Sequence, residues 1–206
     1  MAEWFRSSDW SPLAKGDFEA RLKRARPHNR AQYLRIKALA LREAGETSGA
    51  VDLSQRITTQ HADRQIEVAF AHELLGDLSR STGDLRNAEV HYRASLLRSP
   101  DLSGTTGEVY IKLGEVVLES GSGDAHEVEA LLEDARPHLR LNSSALRFHV
   151  LAARFAYTIG YAARRRRSAG AALDLVGAPA QFSRHPTVGQ VKAAPELLDE
   201  LRTLAE

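Results

Sequence analysis

The chain has 206 residues, 43% of them hydrophobic and only 6% aromatic, with 28 Lys and Arg against 27 Asp and Glu for a net charge of +1. Abundant Ala, Leu, Arg and Glu favour helix and argue against strands. Cysteine is absent, which excludes disulfides and thiol chemistry and fits a reducing compartment. No apolar run approaches the roughly 18 residues of a membrane span. The opening MAEWFRSSDW lacks the basic-then-apolar layout of a signal peptide, so a soluble, cytoplasmic protein is expected.

Residues 1–11 form a short lead carrying Trp4, Phe5 and Trp10. The plain reading is that these rings cap the exposed end of the first helix; the sharper one is a hook for a partner or a second protomer. Ser11-Pro12 is a helix start, with Ser as N-cap and Pro in the first turn. It predicts a helix over 12–26 with Leu13, Phe18, Leu22 and Ala25 on its apolar face. Four helix pairs are predicted next, at 30–61, 68–99, 106–141 and 143–176. In the first, Leu34, Ala38 and Leu41 line the leading helix and Ala50, Leu53 and Ile57 the trailing one. Lys37 interrupts an apolar position there, and Ser54 stands where an aromatic is usual. In the second pair Gly83 suits the left-handed backbone at a helix end, Asp84 is a good N-cap, and Pro100 closes the trailing helix.

Ser122-Gly123 lengthens the turn of the third pair, whose packing positions are Tyr110, Leu113, Gly114 and Val117, then Val128, Leu132 and Ala135. The fourth leading helix, about 143–159, is largely apolar through Leu146, Phe148, Val150, Leu151, Phe155 and Ile159. Its companion is interrupted by Arg164 to Arg167. Residues 177–194, with two Pro and two Gly, read as an irregular linker. Pro195 opens a last helix over 195–206, with Leu197, Leu198, Leu201 and Leu204 on one face. A cap over the last repeat is the favoured reading, a detachable arm docking on another chain the alternative.

The pairs repeat with a period of 38 residues. Ala38, Gly76, Gly114 and Ala152 share one small-residue position. Lys37, Leu75, Leu113 and Leu151 precede it, and Leu34, His72, Tyr110 and Phe148 lie four before it. Gly45, Gly83 and Gly121 mark the turns, and Gly160 takes that role one residue late. A second echo, at a spacing of 110, relates Glu19 to His28 and Glu129 to His138, and predicts that Pro27 and Pro137 each terminate a helix. Leu75, Gly76, Gly83, Ala88, Tyr92 and Pro100 sit at the spacings of a tetratricopeptide repeat, with His72 where that motif prefers Trp and Ser95 where it prefers Ala. The chain therefore resembles tetratricopeptide-repeat proteins over about residues 31–160, with one good copy and three partial ones. The resemblance implies an all-α solenoid of antiparallel helix pairs, a right-handed superhelix occupying residues 1–176 with extra helices at both ends.

Catalytic signals are missing. The sequence has no phosphate-binding Gly loop, no Gly-x-Ser-x-Gly elbow and no His-Glu-x-x-His. Its eight histidines are scattered without the spacing that puts two ligands on one helical face. An enzyme, a cofactor and a metal are not expected. The charge is segregated: residues 21–42 carry eight Lys and Arg and no acid, 108–134 carry eight acids against one Lys, and 135–173 carry eight Arg and no acid.

The family resemblance implies a scaffold whose leading helices line a concave groove for a peptide or partner helix. Carried over, the groove positions are Arg35, Leu39 and Arg42; Glu73, Asp77 and Arg80; Ile111, Glu115 and Leu118; and His149 and Ala153. Arg35 and Arg42 could hold an acidic group. The expectation is a non-catalytic protein-interaction module, dimerising where the aromatic lead or last helix joins two chains. The alternative is a nucleic-acid-associated regulator using the Arg-rich segments 21–42 and 136–167.

Overall fold

A computed structural model describes residues 3–206; the first two residues of the lead lie outside the described residues. Among those described there are ten α-helices, one short 3₁₀ turn and no strand. The chain divides into two compact units between Val109 and Tyr110.

The first unit holds α1 (Pro12–Arg24), α2 (Pro27–Glu43), α3 (Thr47–Gln60), α4 (Gln65–Ser81) and α5 (Leu85–Arg98). Helices α2 with α3 and α4 with α5 form the two pairs. Asp84 caps α5 by accepting from the Asn87 N–H at 3.1 Å, and Ser11 caps α1 by accepting from Ala14. Gly83, at φ +78°, turns the chain between α4 and α5 in a conformation that a side chain would strain. Gly45, Gly121 and Gly160 have the same left-handed sign, so all four turn glycines of the repeat are used alike.

The interior of the second pair is built around Tyr92, only 1% exposed. Its ring lies so close to Gly76 that a Cβ added there would stand 2.5 Å from Cε1, and its hydroxyl donates to Asp77 Oδ1 at 2.9 Å. One period earlier, Ala38 and Ser54 occupy the equivalent positions, both fully buried. Volume removed from the trailing helix has been returned in part on the leading one. Ser54 Oγ has no hydrogen-bond partner. Ser54→Ala is therefore expected to stabilise the first unit by about 1 kcal/mol, because it removes an orphaned buried hydroxyl at almost no cost in volume. A urea titration followed by circular dichroism reads the shift, and an unchanged or lower midpoint would contradict the assignment.

The aromatic lead is folded inward. Trp4 packs on Phe18 and Tyr33, Phe5 stacks on Tyr33 at 4.7 Å, and Trp10 meets Phe18 edge-on. Trp10 also lies against Gly49 of α3, where a Cβ would come within 2.4 Å of its Nε1. Lys37, which interrupts the apolar pattern, is 1% exposed and explains how the lead is held. Its Nζ donates to the backbone carbonyls of Ser7 at 2.6 Å and Asp9 at 2.9 Å, with the Trp10 ring 5.2 Å away. Burial pushes the Lys37 pKa down, against the opposing pull of Asp9.

The second unit holds α6 (Val109–Ser120), α7 (Ala125–Ala135), a 3₁₀ turn (Arg136–His138), α8 (Asn142–Thr158), α9 (Ala162–Val176) and α10 (Pro195–Ala205). Residues 177–194 contain turns but no helix. Leu146, Val150 and Ala153 of α8, Ala169 and Ala172 of α9, and Leu201 and Leu204 of α10 form one buried cluster. Arg154 and Glu200 add a bidentate pair between α8 and α10, both contacts at 2.7 Å.

Three sequence expectations need correction. Pro27 does not end a helix; it opens α2 at the first helical position, where its missing N–H costs nothing. Its counterpart Pro137 sits inside the 3₁₀ turn after α7, so the two echoed segments end differently. Leu13 and Ile159, assigned to apolar faces, are 85% and 44% exposed. Leu13 falls in the first turn of α1 and Ile159 is the C-cap of α8, where the helical stripe no longer meets a neighbour.

Candidate functional site

The positions implied for partner binding are described unit by unit. On α2 and α4, Arg35, Leu39, Arg42, Asp77 and Arg80 are half-buried. The Arg35 guanidinium lies over the Phe70 ring at 5.3 Å, and its Nε is buried with no hydrogen-bond partner. Arg42 reaches Asp77 at 3.4 Å, the same carboxylate that accepts from Tyr92. The strip thus joins cationic, apolar and anionic groups on two neighbouring leading helices.

Glu73 does not belong to that strip. It is 1% exposed, and its carboxylate accepts from the Thr106 N–H at 2.8 Å and from the Thr106 hydroxyl. The acid pins the loop after α5 to α4. The same loop is knitted internally: Ser99 and Ser103 donate to Asp101, whose pKa these hydrogen bonds hold down at about 2.

In the second unit, Ile111 and Ala153 are also buried, at 1% and 0% exposure. Ile111 belongs to the core and Ala153 to the cluster shared with α10. Neither presents a side chain to a partner. Glu115 and Leu118 are half-buried, but Glu115 is held by Arg147 through two contacts of 2.7 and 2.6 Å. His149 opens instead into a cleft of about 270 Å³ lined by Glu129 and Glu133 of α7, Arg136, and Arg164 and Arg167 of α9. Burial, and secondarily Arg136, lowers its pKa.

The charge segregation of the sequence resolves into pairing between helices. Glu115 meets Arg147 and Glu129 meets Arg164 across helices, while Glu133 pairs locally with Arg136 at the end of α7. Successive helical residues point about 100° apart, and the four consecutive arginines separate accordingly. Arg164 is paired with Glu129, Arg165 has a buried Nε, Arg166 donates to the Glu206 carbonyl and Arg167 faces the cleft. In the N-terminal basic segment, Arg21 pairs with Asp17 and Arg30 donates to the carbonyls of Ala25 and Lys23. No helix among the described residues is long and apolar enough to cross a membrane.

Stacked antiparallel helix pairs with small residues at the close approach and glycine turns define a tetratricopeptide-like helical repeat fold. Its likeness to a solved protein supports this. The chain is similar to TTC0263, a thermophilic tetratricopeptide-repeat protein of Thermus thermophilus, with a TM-score of 0.50 at 15% identity, covering 93% of this chain and 88% of that one. No protein-family model and no curated protein matches the sequence.

Proposed function

We propose that this chain is a non-catalytic interaction module that binds a peptide or partner helix along the leading helices of its first unit. The observation that carries the reading is the half-buried strip of Arg35, Leu39, Arg42 and Phe70, in which the Arg35 guanidinium lies over the Phe70 ring and its Nε has no hydrogen-bond partner. A ligand with an acidic group beside an apolar side chain complements it: a carboxylate would neutralise Arg35 and share Arg42 with Asp77, while Leu39 and Phe70 take apolar surface. The cytoplasm is the compartment in which a cysteine-free scaffold of this type would work. The basic segments support nucleic-acid binding poorly, because much of their charge is already paired.

A displayed peptide library selected on the wild-type chain tests this. The variant Arg35→Gln/Leu39→Asn/Arg42→Gln, checked for unchanged helicity and melting, is expected to lose the enriched peptides by about tenfold or more in affinity. Equal binding by the folded variant would sink the proposal. Binding abolished by moderate salt and competed by oligonucleotide would replace it with phosphate recognition.

A further inference from the structure

The motif's usual tryptophan position is filled by His72 on α4, and across the pair stands His91 on α5. Their Nδ1 atoms are 3.3 Å apart, with ring centroids 5.5 Å apart and ring planes inclined by 33°. We infer that His72 and His91 form a two-histidine site for a borderline divalent transition-metal ion of the zinc class, with water completing the coordination.

Two Zn–N bonds of about 2.0–2.1 Å at a tetrahedral angle place their nitrogens about 3.3 Å apart. For a hydrogen bond between imidazoles the same separation is long. The pair bridges two helices rather than one helical face, which is why sequence spacing on a single helix does not show it. Both rings are half-buried, so an ion can reach them without unfolding the pair. A transition metal binds the unprotonated ring nitrogen of an imidazole, and the two Nδ1 atoms face one another across the pair. Of the charged groups acting on them, Asp84 favours a bound cation and Arg98 opposes it. Among the described residues no group of three or more His, Cys, Asp or Glu side chains converges. The site is thus of two protein ligands with open positions, and a hard cation that demands oxygen donors is excluded.

Calorimetry with zinc chloride on the full chain at pH 7, alongside thermal melting, tests the inference. One ion per chain is expected to bind and to raise the melting temperature, since it binds the native pair selectively. Magnesium should do neither. His72→Gln and His91→Gln, made separately and each checked by circular dichroism, should each weaken binding by about tenfold or more. Should His72→Gln fail to fold, His91→Gln decides alone. No zinc binding up to about 1 mM, or equal binding by a folded variant, would overturn the assignment.

Discussion

Tyr92→Ala is expected to destabilise the first unit by about 3–5 kcal/mol, the usual cost of emptying a buried aromatic site. The neighbour on α4 is Gly76, which has no side chain to lean into the void, and Asp77 loses the hydroxyl that donates to it. Gly76→Ala tests the same contact from the other side. In the wild-type background an added methyl meets the Tyr92 ring at 2.5–3.1 Å. Overpacking costs about 1–3 kcal/mol, against a helix-propensity gain of about 1 kcal/mol, so a net loss is expected. In the Tyr92→Ala background the clash is gone and the same substitution should become stabilising by up to about 1 kcal/mol. Gly114→Ala is the internal contrast. Its added Cβ would meet Leu151 Cδ2 at 2.8 Å, the free end of a flexible side chain that can turn aside. Urea titrations of the single and double variants measure the cycle. The same sign for Gly76→Ala in both backgrounds would contradict the packing described.

Much of this fold was legible because it rests on local chemistry repeated at a fixed period. The turn glycines and the Asp84 cap are residue types with few other uses, and every one of them is used as the repeat requires. Positions whose role depends on a distant backbone were not legible. Lys37 reads as a flaw in an apolar stripe, but its partners are carbonyls of Ser7 and Asp9, which carry no side-chain signal. Glu73 sits at a groove register and is turned inward by Thr106, from a loop whose conformation the repeat pattern does not specify. Helix α10 likewise takes up a surface on α8 that the motif alone assigns to a partner, burying Ala153. The segregated charge is plain in the sequence, yet its meaning depends on which helices of the second unit lie side by side. His72 and His91 could have been paired in advance: once Gly76 and Tyr92 are placed in contact, residues four before and one before them fall on the same seam.

Stability should also fall as the solution is acidified below about pH 6.5, the ordinary histidine value. His72 has its pKa lowered from the ordinary 6.5 to about 4, and His91 is lowered as well. A group with a depressed native pKa binds its proton more readily in the unfolded chain, so unfolding takes up protons between the two values and stability rises with pH there. The contribution is complete above about pH 6.5 and is lost as the pH drops toward 4. Half-exposure of the ring reduces the effect of the full shift through solvent screening, leaving on the order of 1–2 kcal/mol for His72. His61 and His149 are lowered in the same direction and steepen the curve. The carboxylates enter at lower pH: Glu200, held down chiefly by its hydrogen bond from Arg154, begins to lose its contribution as the pH falls through the ordinary carboxylate range and continues to lose it below that range. His72→Gln removes the largest of the histidine contributions. Its urea midpoint should change less than that of the wild type between about pH 6.5 and 4.5, and the two curves should run parallel above about pH 7. A wild-type midpoint that stays flat, or rises, on acidification through this window would mean that the His72 ring is not buried against His91 as described.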